Sequence, residues 1–403
     1  MTKALSETTI ALVKATIPAL VEHGPTITQT MYRRLFEDAS VRKLFNHANQ
    51  GEGGAQVHAL SAAILAYAQN IDNLGAVLPV VERISQKHIG YHILPEHYPF
   101  VATALLGAIR EVLGESATDE IITAWGEAYW FLADILIGRE VALRTEISST
   151  VGGWTGWRRF VVAERIRESS LITSFILKPV DGGPVMPHKA GQYLTIRYDP
   201  QESAFKRNYS ISSGPQGDHY RISVKREADG HGGSRFLHDH VEVGDELEAT
   251  PPAGDFFLEE APQRPVILLS GGVGLTPMIS MVEDIAVRHP ELRTHYIHGT
   301  TSGATHAMDR HVRALASTHG NIKVHTFYSH PGEEDAAGTT HDEDGFVSID
   351  WLRANAPLAD ADVYLCGPKP FLRSFVSGLM LAGVPASRVH YEFFGPADEL
   401  LAA

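Results

Sequence analysis

Arg207, Asn208, Tyr209 and Ser210 stand in succession on a predicted strand, and about sixty residues later Ser270-Gly271-Gly272-Val273-Gly274-Leu275-Thr276-Pro277 closes another apolar run. A cation beside an aromatic ring and a hydroxyl suits the phosphate, ring face and polar edge of a flavin. A glycine turn between strand and helix aims backbone amides at an anion such as a pyrophosphate, with Thr276 and Pro277 expected to cap and open the helix. Taken singly, each piece has a plainer explanation: a cross-strand aromatic, a surface arginine, a tight strand-to-helix connection.

A second candidate lies far upstream. His88 falls on the helical face marked by Val77, Val81 and Ile84, at spacings of four, three and four, where a helix ordinarily points apolar side chains. A histidine there is either a hydrogen-bonded core residue or a ligand, and spacing alone leaves both open. Gly90 is expected to end this helix, and Tyr98 follows close enough to return to the ring.

The elements that must position these residues change character along the chain. Only five of the 22 prolines fall within the first 150 residues, and helical patterns cover Ile10 to Leu20, Ile27 to Phe36, Val57 to Ile71, Val77 to His88, Val101 to Leu113 and Ile121 to Leu143, with Gly24-Pro25 expected to break the chain. An all-α domain over 1–147 and a linker over 148–154 follow. Period-two runs then begin, most clearly Tyr220, Ile222 and Val224 alternating with Arg221, Ser223 and Lys225, and six such runs predict an antiparallel barrel over 155–263. From 264 to 403 apolar runs alternate with helical patterns, which predicts crossovers and a parallel sheet, with an exposed acidic loop from His330 to Gly345.

Composition narrows the partners. The 403 residues carry a formal charge of -14 with no basic tract, which argues against nucleic acid and against attraction to anionic membranes and leaves small molecules. The lone Cys366 cannot form an internal disulfide, which fits a reducing compartment. The amino terminus lacks the long apolar core of a signal peptide, and no apolar run approaches the ~20 residues of a membrane helix. A soluble, cytoplasmic monomer without stable membrane association is expected.

In combination the motifs carry a resemblance. Gly191-Gln192-Tyr193, the Arg207 to Ser210 run, the later glycine turn, Leu365-Cys366-Gly367-Pro368 and Tyr391-Glu392-Phe393-Phe394-Gly395 resemble the ferredoxin-reductase type of flavoenzyme, a flavin barrel followed by a nicotinamide domain. The resemblance implies FAD with Tyr209 against its ring, Arg207 on its phosphates, Ser210 near the nitrogen that receives hydride, and Tyr193 and Asn208 beside them. Gly232, Gly233 and Ser234 would sit near the pyrophosphate. Gly271, Gly272, Val273, Gly274, Leu275, Thr276 and Pro277 would take NAD(P)H, with Cys366 near the nicotinamide but not catalytic. Glu392, Phe393, Phe394, Gly395 and Pro396 would complete the cofactor surface. Ile297-His298-Gly299-Thr300 offers no acidic residue to choose between NADH and NADPH.

In the front part, Phe45-Asn46 follows a helix bearing Tyr32, and Gln56 precedes Leu60 by four residues. With Gln86-Lys87-His88, Ala124-Trp125-Gly126-Glu127-Ala128-Tyr129 and Val151-Gly152-Gly153-Trp154, the whole chain resembles the flavohaemoglobins. That resemblance implies haem b with His88 as the iron ligand, Phe45 packed on the porphyrin, and Lys87 facing it. Tyr32, Gln56 and Leu60 would line the distal pocket, the phenol donating a hydrogen bond to dioxygen, and Tyr98 and Glu140 would hold His88. The implied activity is that of a nitric oxide dioxygenase: electrons pass from NAD(P)H through FAD to haem, and nitric oxide and dioxygen become nitrate. Two alternatives from other classes are an NAD(P)H oxidase or general electron-acceptor reductase, and a gas-sensing or oxygen-storing globin.

Overall fold

The computed structural model describes residues 4–42, 55–73, 75, 78–198, 206–215, 217–227 and 232–395. Phe45, Val77 and Pro396 lie outside these residues, as does the side chain of Gln56. The chain divides into two compact units, with the main boundary between Ser149 and Thr150.

The first unit is helical: α1 (Glu7–Ala15), α2 (Ile17–Leu35), α3 (Ala39–Arg42), α4 (Ala55–Gln69), α5 (Leu78–Tyr91), α6 (Tyr98–Leu113) and α7 (Asp119–Ser149). Ser6 starts α1, its hydroxyl accepting from Thr9 N at 3.0 Å. The break expected at Gly24-Pro25 is absent; α2 runs through it, and Thr16 is where α1 and α2 part. Packing explains the difference. Leu20, Gly24, Ile27, Met31 and Leu35 form one buried stripe spanning Pro25, and burying each large side chain contributes about 1.5–3 kcal/mol. Together these outweigh the roughly 3 kcal/mol an interior proline costs. Gly24 has its own reason, since a Cβ there would overlap Ser61 Oγ of α4.

α7 is 31 residues long and, by length and composition, apolar enough to cross a membrane, which simple inspection of apolar runs missed. One of its faces buries Trp125, Ala128, Phe131, Leu136 and the charged Glu140 against the neighbouring helices. It also overruns the expected linker: the Ser148 and Ser149 hydroxyls donate to the carbonyls of Thr145 and Glu146, prolonging the last turn.

The second unit opens with the barrel: β1 (Arg158–Arg167), β2 (Ile172–Pro179), β3 (Tyr193–Arg197), β4 (Lys206–Ser210), β5 (Tyr220–Lys225), α8 (Gly233–His240) and β6 (Glu246–Ala249). Strand order is β4-β3-β6-β1-β2-β5. Ile211 bridges Ile222, and Ser212 N donates to Arg221 O at 2.7 Å, closing the sheet on itself. Tyr220, Ile222 and Val224 point inward with Phe160, Phe175, Leu194 and Leu247, as their alternation predicts, and Leu237 of α8 joins the same core.

The rest of the unit is a parallel sheet with order β10-β9-β8-β7-β11-β12. Its elements are β7 (Val266–Gly271), α9 (Leu275–Arg288), β8 (Thr294–Thr300), α10 (Asp309–Thr318), β9 (Ile322–Tyr328), β10 (Glu343–Asp344), α11 (Ile349–Asn355), β11 (Asp362–Cys366), α12 (Lys369–Leu381) and β12 (Val389–Glu392). All six residues of β7 are buried, as a strand covered on both faces requires. The acidic stretch before Gly345 is more ordered than a free loop. Asp335 accepts from Gly303 N and Gly332 N, Asp342 accepts from Thr326 N and Arg313, and Glu343-Asp344 pairs with Phe327-Tyr328. Glu283 of α9 binds the sheet half to the barrel, accepting from Gly214 N at 2.5 Å and from Arg221 at 2.6 Å.

Candidate functional site

In the helical unit α5, α6 and α7 bring His88, Tyr98 and Glu140 together. His88 Nδ1 lies 2.7 Å from Glu140 Oε1 and 3.1 Å from Tyr98 Oη, and the Tyr98 hydroxyl donates to Glu140 Oε1 at 2.5 Å. Glu140 is 0% exposed. Burial and the adjacent carboxylate raise the Tyr98 phenol far above its ordinary range, so it stays a donor. Tyr129 Oη donates to the Tyr98 carbonyl at 2.8 Å and fixes the start of α6. Among the described residues both hydrogen bonds of the imidazole therefore fall on Nδ1, leaving Nε2 for another partner. A ring oriented this way by a carboxylate fits an iron ligand. Val81 and Ile84 of the same helix pack in one core with Tyr98, on the apolar face that the helical spacing predicts.

The end of α5 is a left-handed cap. Ile93 N donates to His88 O at 2.8 Å and His92 N to Ile89 O at 3.1 Å, a Schellman pair whose left-handed residue is His92 at φ 55°. Gly90, expected to stop the helix, lies buried within it. The helix stops two residues later, because the paired amides of His92 and Ile93 satisfy its last carbonyls. A side chain at this φ is strained by roughly 1–2 kcal/mol. His92→Gly is therefore expected to stabilise the protein by about 0.5–1 kcal/mol, part of the relief being lost to unfolded-state entropy. Equilibrium denaturation of the helical unit's far-ultraviolet signal measures it, and a destabilised variant contradicts it.

Tyr32 of α2 is 6% exposed, its ring stacked on Phe36 at 5.6 Å. Burial pushes its phenol up to about 12. Leu60 of α4 packs at the edge of the same core, and Gln56 lies one turn earlier on that helix. Lys87 is exposed.

In the barrel, Arg207 and Tyr209 share one face of β4 and meet the first turn of α8. A Cβ on Gly233 would lie 2.7 Å from Arg207 Cγ, 3.0 Å from Tyr209 Oη and 3.2 Å from Tyr198 Oη. Gly232, at φ 114°, turns the chain into that helix. A cation, a phenol and a helix N-terminus thus converge where a diphosphate would fit. Tyr198 donates to Tyr209 at 2.7 Å, and burial pushes the Tyr209 phenol up to about 12. Asn208 accepts from Thr195 at 2.9 Å, Ser210 is buried at the strand end, and Ser234 Oγ accepts from Glu227 N at 3.4 Å. Tyr193 packs against Gly254, whose φ of 120° brings the backbone close to the ring.

In the parallel sheet, Gly272 to Gly274 form a single turn between β7 and α9. Gly272 has φ 54° and, among the described residues, open space where a Cβ would stand, the cradle an anion requires. Gly274 is glycine for a different reason: a Cβ would overlap the Cys366 carbonyl oxygen and lie 2.7 Å from Gly367 N. Thr276 does not cap the helix. Gly274 holds the cap position, and the Thr276 hydroxyl donates back to Val273 O at 3.2 Å. Leu275, Thr276 and Pro277 are buried beneath the turn, with Val273 packed on the same core. Cys366 is fully buried, burial pushes its thiol up, and its carbonyl meets the turn. Glu392 pairs with Cys366 across β12 and β11; Phe393, Phe394 and Gly395 follow, Phe394 being 48% exposed.

Sequence reasoning missed a histidine array beside this turn. Ser270 Oγ is 2.8 Å from His298 Nδ1, the His298 and His306 rings are 4.9 Å apart, His306 Nδ1 is 2.9 Å from Tyr328 Oη, and Tyr328 stacks on His341 at 4.2 Å. Burial pushes His298 well below the usual imidazole value and His306 down to about 4, so both are neutral near neutral pH. The members come from separate strands and loops, so no spacing in the sequence announces them.

These sites define the class: a haem-binding helical domain joined to a flavin- and nicotinamide-dependent reductase, an oxidoreductase carrying haem, FAD and NAD(P)H. The comparisons agree. Residues 29–136 match the globin family, 159–258 the oxidoreductase FAD-binding domain and 268–377 the oxidoreductase NAD-binding domain. A flavohemoprotein of Xylella fastidiosa is 59% identical over 404 residues, all of both chains, and one of Rhodopirellula baltica is 45% identical over 99% of this chain and 100% of its own. The crystal structure of a Malassezia yamatoensis flavohemoglobin with bound FAD and heme superposes with a TM-score of 0.85 at 28% identity, covering 98% of this chain and 100% of that one. The FAD/NAD-binding domain of a Vibrio cholerae nitric oxide dioxygenase is 38% identical over 59% of this chain and 99% of its own, with a TM-score of 0.54. The chain belongs to the flavohaemoglobin family.

Proposed function

We propose that the chain is an NAD(P)H-dependent nitric oxide dioxygenase, forming nitrate from nitric oxide and dioxygen. Bound haem would supply the iron at which the gases combine, and bound FAD would take electrons in pairs from NAD(P)H and release them singly. The observation that carries the reading is the cluster in which buried Glu140 and Tyr98 hold the half-buried His88. Glu140 holds the Nδ1 proton of His88, which makes Nε2 a strong electron donor, and Tyr98 holds Glu140 in place. Such an imidazole favours activating dioxygen over storing it. Tyr32 would donate its hydroxyl hydrogen to the oxygen substrate, while Leu60 and the buried wall of α2 exclude water. Arg207, Tyr209 and Gly233 would hold FAD, and the Gly272 turn the nucleotide. The Vibrio cholerae relative is itself named a nitric oxide dioxygenase. The reading takes the protein to act as a cytoplasmic monomer without stable membrane association, in keeping with its charge of -14.

The test mixes the NADH-reduced, aerated protein with nitric oxide and quantifies nitrate. One nitrate per nitric oxide supports the reading. Oxygen uptake unaffected by nitric oxide, without nitrate, leaves an NAD(P)H oxidase instead. Tyr32→Phe is expected to lower nitrate formation roughly 10- to 100-fold, the worth of one hydrogen bond to a developing charge. Because burial raises the Tyr32 phenol to about 12, its neutral form persists well above an ordinary tyrosine's pKa of about 10. The wild-type rate is therefore expected to show no tyrosine step between about pH 7 and pH 10. A Tyr32-dependent fall in that window contradicts the assignment.

A further inference from the structure

Glu140 is buried with its two carboxylate oxygens unequally engaged. Oε1 receives both His88 and Tyr98, whereas Oε2 has no hydrogen-bond partner among the described residues. One turn further along α7 stands Arg144, its Nη1 3.7 Å from Oε2 and its side chain 18% exposed. Nη2 of the same guanidinium donates to Ile93 O, and Ile93 N donates to His88 O. One arginine thus faces both the acid that holds the imidazole and the turn that ends its helix.

We propose that Arg144 is a positioning residue for the iron-binding histidine, tempering through Glu140 the electron donation of the His88 imidazole. The proposal rests on His88 as iron ligand, and it is independent of which reaction the haem performs. A guanidinium is charged at every accessible pH, and beside a buried carboxylate its field is little screened by solvent. At this distance it draws electron density toward Oε2, and Oε1 becomes a weaker acceptor for the Nδ1 proton. The imidazole then keeps less imidazolate character, and its Nε2 donates less strongly to a metal. The two donors on Oε1 hold the carboxylate without Arg144, so removing the charge strengthens the Glu140–His88 hydrogen bond rather than breaking it.

The test uses the full-length, haem-loaded protein, with the ferrous iron–histidine stretch read by resonance Raman and the haem midpoint potential by anaerobic titration. Arg144→Met is expected to raise the stretching frequency and lower the potential. Arg144→Lys, which keeps the charge, should return both toward wild type. In a Glu140→Gln background Arg144→Met should move neither, because the anion it acts on is gone. If Arg144→Met does not fold, Arg144→Gln carries the same expectations. Unchanged readouts, shifts in the opposite sense, or an equal shift in the Glu140→Gln background overturn the proposal. A wild type with no iron–histidine band would instead remove His88 as the ligand, and a failure to make nitrate would leave these readouts and the proposal untouched.

Discussion

Replacing His88 by alanine is expected to give a protein that is yellow rather than red. Among the described residues the imidazole is held by Glu140 and Tyr98 through Nδ1, so on the reading proposed above its Nε2 is the group that would bind iron. Without it the ordinary Soret band should disappear, and nitrate formation should fall by more than about 100-fold, since loss of even outer partners of a metal ligand costs 10- to 100-fold. The barrel and parallel sheet form a separate compact unit with cores of their own. NADH-driven bleaching of FAD should therefore persist at close to the wild-type rate. The substitution also removes one of two donors to a buried carboxylate, a loss of roughly 1.5–3 kcal/mol, the worth of a hydrogen bond to a charged group. Added imidazole separates the two effects: if the cavity refills, the Soret band and part of the nitrate activity return, as ligand loss predicts and collapse of the helical unit does not. Full haem content and activity in the variant without added imidazole would remove His88 from the iron.

How much of this was legible beforehand follows from which forces are local. The barrel interior was readable because Tyr220, Ile222 and Val224 alternate with a period set by the strand itself, and the parallel strands were readable as short apolar runs. The expected break at Gly24-Pro25 failed because the residues that override the proline, the α2 stripe and Ser61, act across a helix crossing. The end of α5 was misplaced by two residues for a similar reason: Gly90 signals a stop, but the paired amides at His92 and Ile93 decide it. At the proposed haem site the helical phase placed His88 in line with the apolar positions of its helix, yet only the fold shows that Glu140 is buried and that Arg144 faces its other oxygen. In the nucleotide half the sequence located the glycine turn but not the division of labour within it.

That division separates Gly272 from Gly274 and sets the last expected result. At Gly272 the backbone is left-handed, so alanine there meets a strain of roughly 1–2 kcal/mol and no neighbour among the described residues. At Gly274 the conformation is ordinary, φ -60°, but a methyl would overlap the Cys366 carbonyl and crowd Gly367 N. Both obstacles are backbone and cannot step aside by changing rotamer, so β7 and α9 must move relative to β11. Overpacking of this kind costs about 1–3 kcal/mol. A displacement of 1 Å at a nucleotide turn costs about 100-fold in positioning. Gly274→Ala is accordingly expected to slow anaerobic FAD reduction by NADH about 100-fold, with Gly272→Ala affected less. Dithionite-reduced haem in the Gly274 variant should still bind carbon monoxide with a wild-type spectrum, because the helical unit is untouched. Stopped-flow flavin bleaching measures the first and a carbon monoxide difference spectrum the second. Wild-type bleaching in Gly274→Ala would mean that the turn tolerates displacement and that the nucleotide is positioned by other residues, whereas loss of the carbon monoxide spectrum would mean that the two units do not fold independently.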